Sequence, residues 1–398
     1  MRRLLLIIPF VAALAPRDAA AAPCTDLPNP VYVQAGDTQT NLLKRLGRAL
    51  RDNTSNPMSL IFLPSGSCTN IDAIYSRVPI TANMQFVPSM AEDPAWTPSS
   101  PTIACTPPAG GVVPDIANSA LFNSACTSSP PPATVAMHQG PVQAYVMAVP
   151  KASSQKAITF EEAYFVFGFG MAGMVAPWTD ETNMFIRTIT KSTLLAWAAN
   201  ITVPGDMWKG VRRDASSMVV SDLMTSPNPE SAIGILGVEV YDGLRDKLSV
   251  LAYRGKGQYA AYFPDSSFES RDKRNVRDGH YTVWSPTIWM ETLDANGQPV
   301  SARAHYIINL LTGKTATPEP QFPGNQTMID LIAAVGLVPD CAMGVNRKFE
   351  GGPLELYKPA ESCVCSYESR VDQTSCATCP AGTCSNGGVC RAGFCEVQ

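Results

Sequence analysis

Histidine is scarce in this chain, and so is charge. Only three of its 398 residues are histidine (His138, His280, His305), too far apart for an HExxH pair or a His-rich metal cluster. Charged residues make up 16%, too few for a disordered chain or a coiled coil. Lysine and arginine (30) are outnumbered by aspartate and glutamate (34), and a net charge of −4 leaves no basic footprint for nucleic acid. No P-loop, G-x-G-x-x-G or G-x-S-x-G elbow is present; Gly66-Ser67-Cys68 and Gly168-Phe169-Gly170 start such patterns without completing them. Glu161 and Glu162 are adjacent, so their carboxylates leave a helix on different faces and read as its solvated start. Each histidine lacks a nearby nucleophile and reads as a surface or hinge hydrogen-bonding residue. Trp178, Trp197, Trp208, Trp284 and Trp289 read as core or hinge residues. No enzyme activity, cofactor or metal is expected.

Long apolar runs are missing too. Leu4–Leu14 spans eleven residues and Ala163–Trp178 sixteen, three of them glycine. A membrane helix needs about 20. The second stretch reads as a buried core helix. The first, after Arg2 and Arg3 and before the Ala19–Ala22 run, reads as a secretory signal over residues 1–22. Its removal takes away three arginines and one aspartate, which moves the net charge from −4 to −6. Ala21, three before Cys24, is not the large apolar residue of a lipoprotein leader. The expected product is exported, to a periplasm or to an extracellular or cell-surface position, with no transmembrane span in the mature chain.

Cysteine, by contrast, is plentiful and grouped. Four lie early (Cys24, Cys68, Cys105, Cys126) and eight late (Cys341, Cys363, Cys365, Cys376, Cys379, Cys384, Cys390, Cys395), with none between 127 and 340. Both groups are even, and in an exported chain each is expected to pair within itself. Cys105 and Cys126 bracket a Pro/Ser/Gly/Ala-rich loop of the kind a disulfide tethers usefully. The segment from about Glu361 carries seven cysteines and little apolar material, so it folds only if stapled. Its end, Cys384-SNGGV-Cys390-RAGF-Cys395, resembles the texture of EGF-like modules. Cys376-Ala-Thr-Cys379 is read as structural disulfide cysteines, with half a zinc site or a redox pair as the alternatives.

Between the cysteine groups, short strands lead through polar turns into helical periodicity. Val31–Gln34 precedes Gly36-Asp37-Thr38-Gln39-Thr40, then Leu42, Leu43, Leu46, Ala49 and Leu50. Ser59–Leu63 precedes Pro64-Ser65-Gly66-Ser67, and Met184–Arg187 precedes Thr188–Thr193. This alternation predicts an α/β body with mainly parallel sheets. Hydroxyls and backbone N–H groups at three such turns suit an oxyanion, although Ser and Thr also cap helices without any ligand.

The order of these segments, with GPVQAYVMAVP at Gly140–Pro150, TFEEAYFVFGFG at Thr159–Gly170, NPESAIGILG at Asn228–Gly237 and DGHYTVWSPTIW at Asp278–Trp289, resembles the type 2 periplasmic solute-binding proteins. Within them it resembles the phosphate-binding (PstS-like) branch, over roughly Pro30–Asp340. The resemblance implies a two-lobed α/β body with a hinge. Lobe 1 would be 23–147 with 282–345, lobe 2 148–281, and 346–398 a small disulfide-rich module. It implies hinge strands at Gly140–Pro150 and Tyr281–Trp289. It also implies a small oxyanion held by Thr38, Ser65 and Ser67 from lobe 1 and by Arg187, Ser192 and Thr193 from lobe 2, and a membrane transporter as partner. The chain differs from the family at three places. Lys191-Ser192-Thr193 stands where S-G-T is usual, Asp37 where a small residue is usual, and Ile80–Ser89 lacks an aspartate that accepts a proton from protonated phosphate. These differences, with the Cys-rich tail, make a surface scaffold or adhesion protein without a small ligand the alternative.

Overall fold

The computed structural model describes residues 21–372, 374–380, 382–384 and 388–396; the leader read over 1–22 lies outside them apart from its last two alanines. Strand–turn–helix units recur as the periodicity predicts. Pro30–Gly36 leads into helix Thr40–Arg51, Ser59–Ser65 into helix Ser67–Tyr75, and Met184–Arg187 into helix Ser192–Ile201. Apolar residues at i, i+3 and i+4 explain the first helix: Leu42, Leu43, Leu46, Ala49 and Leu50 face inward, and Arg48 and Arg51 close its last turn.

Pairing decides where the turns emerge. Pro30–Gly36 runs parallel to Ser59–Ser65, with Gly36 opposite Ser65, so Asp37–Gln39 and Gly66-Ser67 leave the sheet side by side. Met184–Arg187 runs parallel to Val211–Arg213, with Arg187 opposite Arg213, so the turns at 188–191 and 214–216 also emerge together. Ligands of open α/β sheets bind beyond such carboxyl ends.

Two long strands connect the halves. Val135–Pro150 pairs antiparallel with Trp284–Thr292 over its first part and with Ile233–Gly237 at Tyr145–Ala148. All of these strands belong to one twelve-stranded sheet. The sheet is mixed rather than mainly parallel, because the chain that crosses outward must return in the opposite sense and pairs with itself there. The result is a two-lobed α/β fold of the periplasmic-binding-protein type. One core gathers Val31, Leu46, Leu60, Trp289, Ile307 and Leu331; the other gathers Val146, Phe167, Trp197, Leu236, Tyr253 and Trp284. All five tryptophans named above are buried.

Ala163–Trp178 departs from its reading. Helix Phe160–Phe169 starts at a Thr159–Glu162 capping box and buries only Ala163, Val166 and Phe167. Phe165 and Phe169 are 44% exposed, and Met171 and Met174 are 70% and 83% exposed in the turn beyond. The glycines that interrupt the run explain this: Gly170 takes φ 57, and the chain leaves the helix there.

The cysteines pair within their two groups. The early bonds are Cys24–Cys105 and Cys68–Cys126; the Cys105–Cys126 tether does not form, because the strands carry these residues to different partners. The late bonds are Cys341–Cys363, Cys365–Cys376, Cys379–Cys390 and Cys384–Cys395. Cys24, as a disulfide partner, offers no thiol for a lipid. Cys379, Cys384 and Cys395 lie close together, but as disulfide sulfurs they provide no thiolate for a metal. The tail packs onto both halves. Tyr367, on helix Val364–Val371, is fully buried in the second core, Glu368 pairs with Arg277 (2.6 Å), and Arg370 pairs with Asp330 (2.6 Å). Val338, Met343 and Val345 also pack into that second core.

Candidate interlobe anion site

The four turns meet between the lobes. Gly66 shows how closely: a side chain there would begin 2.8 Å from the Thr190 carbonyl oxygen of the opposite lobe. The Cys68 N–H donates to the same oxygen (3.3 Å). Lys191 donates through Nζ to the Ser65 carbonyl (3.1 Å).

Arg187 stands at the centre and has no exposed surface. Its guanidinium donates to the Arg213 carbonyl (3.1 Å), the Asp214 carbonyl (2.7 Å) and the Ser216 hydroxyl. It also crosses to the first turn of lobe 1, where Nη2 lies 2.8 Å from Asp37 Oδ2. The same oxygen accepts from Ser216 N (3.4 Å) and Oγ (3.3 Å), at the start of helix Ser216–Thr225, where the positive end of the helix favours an anion. Lys191 Nζ is 3.7 Å from Asp37 Oδ1. Burial lowers the Lys191 ammonium from its ordinary range, while Asp37 opposes that shift.

The other residues implied by the resemblance lie around this pair. Thr38 and Thr193 are buried, and neither hydroxyl has a hydrogen-bond partner among the described residues. Ser67 Oγ accepts from Ala120 N (3.0 Å), and Ser192 is buried at the head of its helix. Ser65 contributes its backbone carbonyl to Lys191. Gly36 leaves a small polar recess: a side chain there would begin 3.4 Å from Thr38 Oγ1 and 4.0 Å from both Asn118 Oδ1 and Ser67 Oγ. Beneath, Gln39 donates to Gln143, and Gln143 donates to Glu239 (3.1 Å). Burial pushes the Glu239 carboxyl well above its ordinary range and favours its neutral form.

Sequence reading marked Asp37 as an added charge but did not pair it with Arg187. It missed Ser216, although VRRDASSMVV carries the same strand–turn–helix signal, and it missed Asn118, Gln39, Gln143 and Glu239, which carry no local motif. It also missed a meeting of two histidines. His138, on the crossing strand paired with that of Glu291, and His305, on helix Ala302–Leu311, each lie 2.9 Å from the buried Glu291 carboxylate.

No family model matches this chain, and no curated protein matches it. Solved structures do. The chain is similar to a structure described as a phosphate ABC transporter substrate-binding protein with bound phosphate from Clostridium perfringens. The TM-score is 0.52 at 12% identity, over 78% of this chain and 99% of that one. It is also similar to an ABC-type phosphate transport receptor from Vibrio cholerae, with a TM-score of 0.48 at 11% identity, over 77% and 99%. The first match places the body among two-lobed substrate-binding-protein folds. No helix among the described residues is long and apolar enough to cross a membrane.

Proposed function

We propose that this chain is an exported solute-binding protein that holds a small oxyanion of the phosphate class between its lobes and hands it to a membrane transporter. The observation that carries the reading is Arg187. It is fully buried in one lobe and presents its guanidinium to an anionic group supplied by the other. Arginine matches carboxylate and tetrahedral oxyanions through the same charge-assisted hydrogen bonds. Thr38, Ser65, Ser67, Ser192 and Thr193 complete the proposed ligand set, with Lys191 as a second cation. Six disulfides support an oxidising, exported location.

The test is thermal unfolding of the oxidised protein from residue 23 onward with phosphate, sulfate, arsenate or molybdate, alongside Arg187→Ala. Ligand at 100 times Kd adds about 2.7 kcal/mol of stability. A rise in midpoint with one anion, absent in the variant, is the expected result; no rise with any anion, in wild type or in an Asp37 variant, refutes the reading. One observation favours the second reading, a surface scaffold without a small ligand: Arg187 already has a carboxylate partner within the chain.

A further inference from the structure

Resting on the receptor reading, we infer that Asp37 is a tethered competitor, a carboxylate of lobe 1 that occupies the oxyanion seat of lobe 2. Its oxygens lie where an external anion would lie: against Arg187 Nη2 (2.8 Å), Ser216 N and Oγ (3.4 and 3.3 Å) and Lys191 Nζ (3.7 Å). The partners come from residues 150 and 179 positions away in sequence, so no local turn requires the contact. Access gives the order of events. Arg187 is 0% exposed and the Asp37 side chain 21%, so an anion reaches the guanidinium by displacing Asp37. Arg187 and Lys191 both face Asp37, with the Asp214 carboxylate also acting on Lys191, and an exchanged anion need only match what Asp37 supplies. Carboxylates and tetrahedral oxyanions both do so.

The consequence is a weakened receptor. Apparent affinity falls by the fraction of molecules whose seat is free, so nine self-occupied molecules in ten give about a tenfold weaker apparent Kd. Releasing Asp37 also removes one of the contacts between the lobes, beside those of Lys191 with Ser65 and of Cys68 with Thr190, which couples exchange at the seat to hinge opening.

The experiment compares wild type with Asp37→Ala and Asp37→Asn, each with acetate, phosphate and sulfate, by calorimetry and thermal unfolding. The asparagine variant preserves the side-chain shape if the alanine variant fails to fold. The expected result is that the variants bind at least one of these anions tenfold or more tightly than wild type, with acetate raising the melting point of Asp37→Ala but not that of wild type. Wild type that binds an anion as tightly as both variants overturns the tethered competitor and leaves the receptor reading intact. Failure of all three proteins to respond to any anion overturns the receptor reading, and the competitor with it.

Discussion

Gly66→Ala is a wedge driven between the lobes. The backbone at Gly66 has φ −99 and ψ 148, a region open to any L residue, so alanine strains nothing locally. Its methyl group, however, would sit 2.8 Å from the Thr190 carbonyl oxygen, 2.9 Å from Thr190 Oγ1 and 3.2 Å from Thr190 Cβ. Two of these distances are shorter than any ordinary carbon contact, and the obstructing atoms include backbone. Overpacking of this kind costs about 1–3 kcal/mol. Opening breaks the Cys68 N–H bond to Thr190 in wild type and variant alike, so this bond leaves the difference between them unchanged. Each lobe has its own core, so the strain is relieved by hinge opening rather than by unfolding. At roughly 1.4 kcal/mol per factor of ten, the closed-to-open ratio falls about five- to a hundredfold. Small-angle scattering should show a larger radius of gyration for Gly66→Ala, with little change in the denaturant midpoint. A variant with the wild-type radius and the wild-type midpoint would refute the closed contact between these turns.

Other expectations concern stability. Lys273 is fully buried between Asp242 (2.8 Å) and Asp265 (2.9 Å), so Lys273→Met leaves carboxylates short of a cation and should cost about 3–5 kcal/mol in urea unfolding. Replacing Cys341 and Cys363 by alanine removes a bond that closes a 22-residue separation, and chain entropy puts the loss at about 3 kcal/mol, read by the same titration. Burial pushes the Glu350 carboxyl up to about 7, against the pull of Arg347. The fold therefore holds a proton there that the unfolded chain releases at the ordinary glutamate range, and stability falls as pH rises from there toward 7. Glu350→Gln should abolish that part of the decline and leave the protein more stable than wild type above pH 7; an unchanged pH–stability curve would rule this out.

Much of the body was legible because its causes are local. Helical spacing of Leu42, Leu46 and Leu50, hydroxyls at the helix starts, and the helix start at Glu161-Glu162 each depend on residues a few positions apart. The even cysteine groups were legible as groups for a related reason, since the stretch without cysteine separates them. Ala163–Trp178 misled because hydrophobicity was read without periodicity: nine of its residues run past the end of the helix, and Phe165 and Phe169 lie on its exposed face.

What the amino-acid order determined by itself is the succession of strand, turn and helix and the supply of groups at each turn. The tertiary structure alone decided the partners: Cys24 with Cys105, Cys68 with Cys126, Glu291 with His138 and His305, and Asp37 with Arg187. A side chain's local hydrogen bonds follow from neighbours in the chain. Its charge partner follows from which turns the crossing strands bring face to face, and a separation of 150 residues carries no local trace of that.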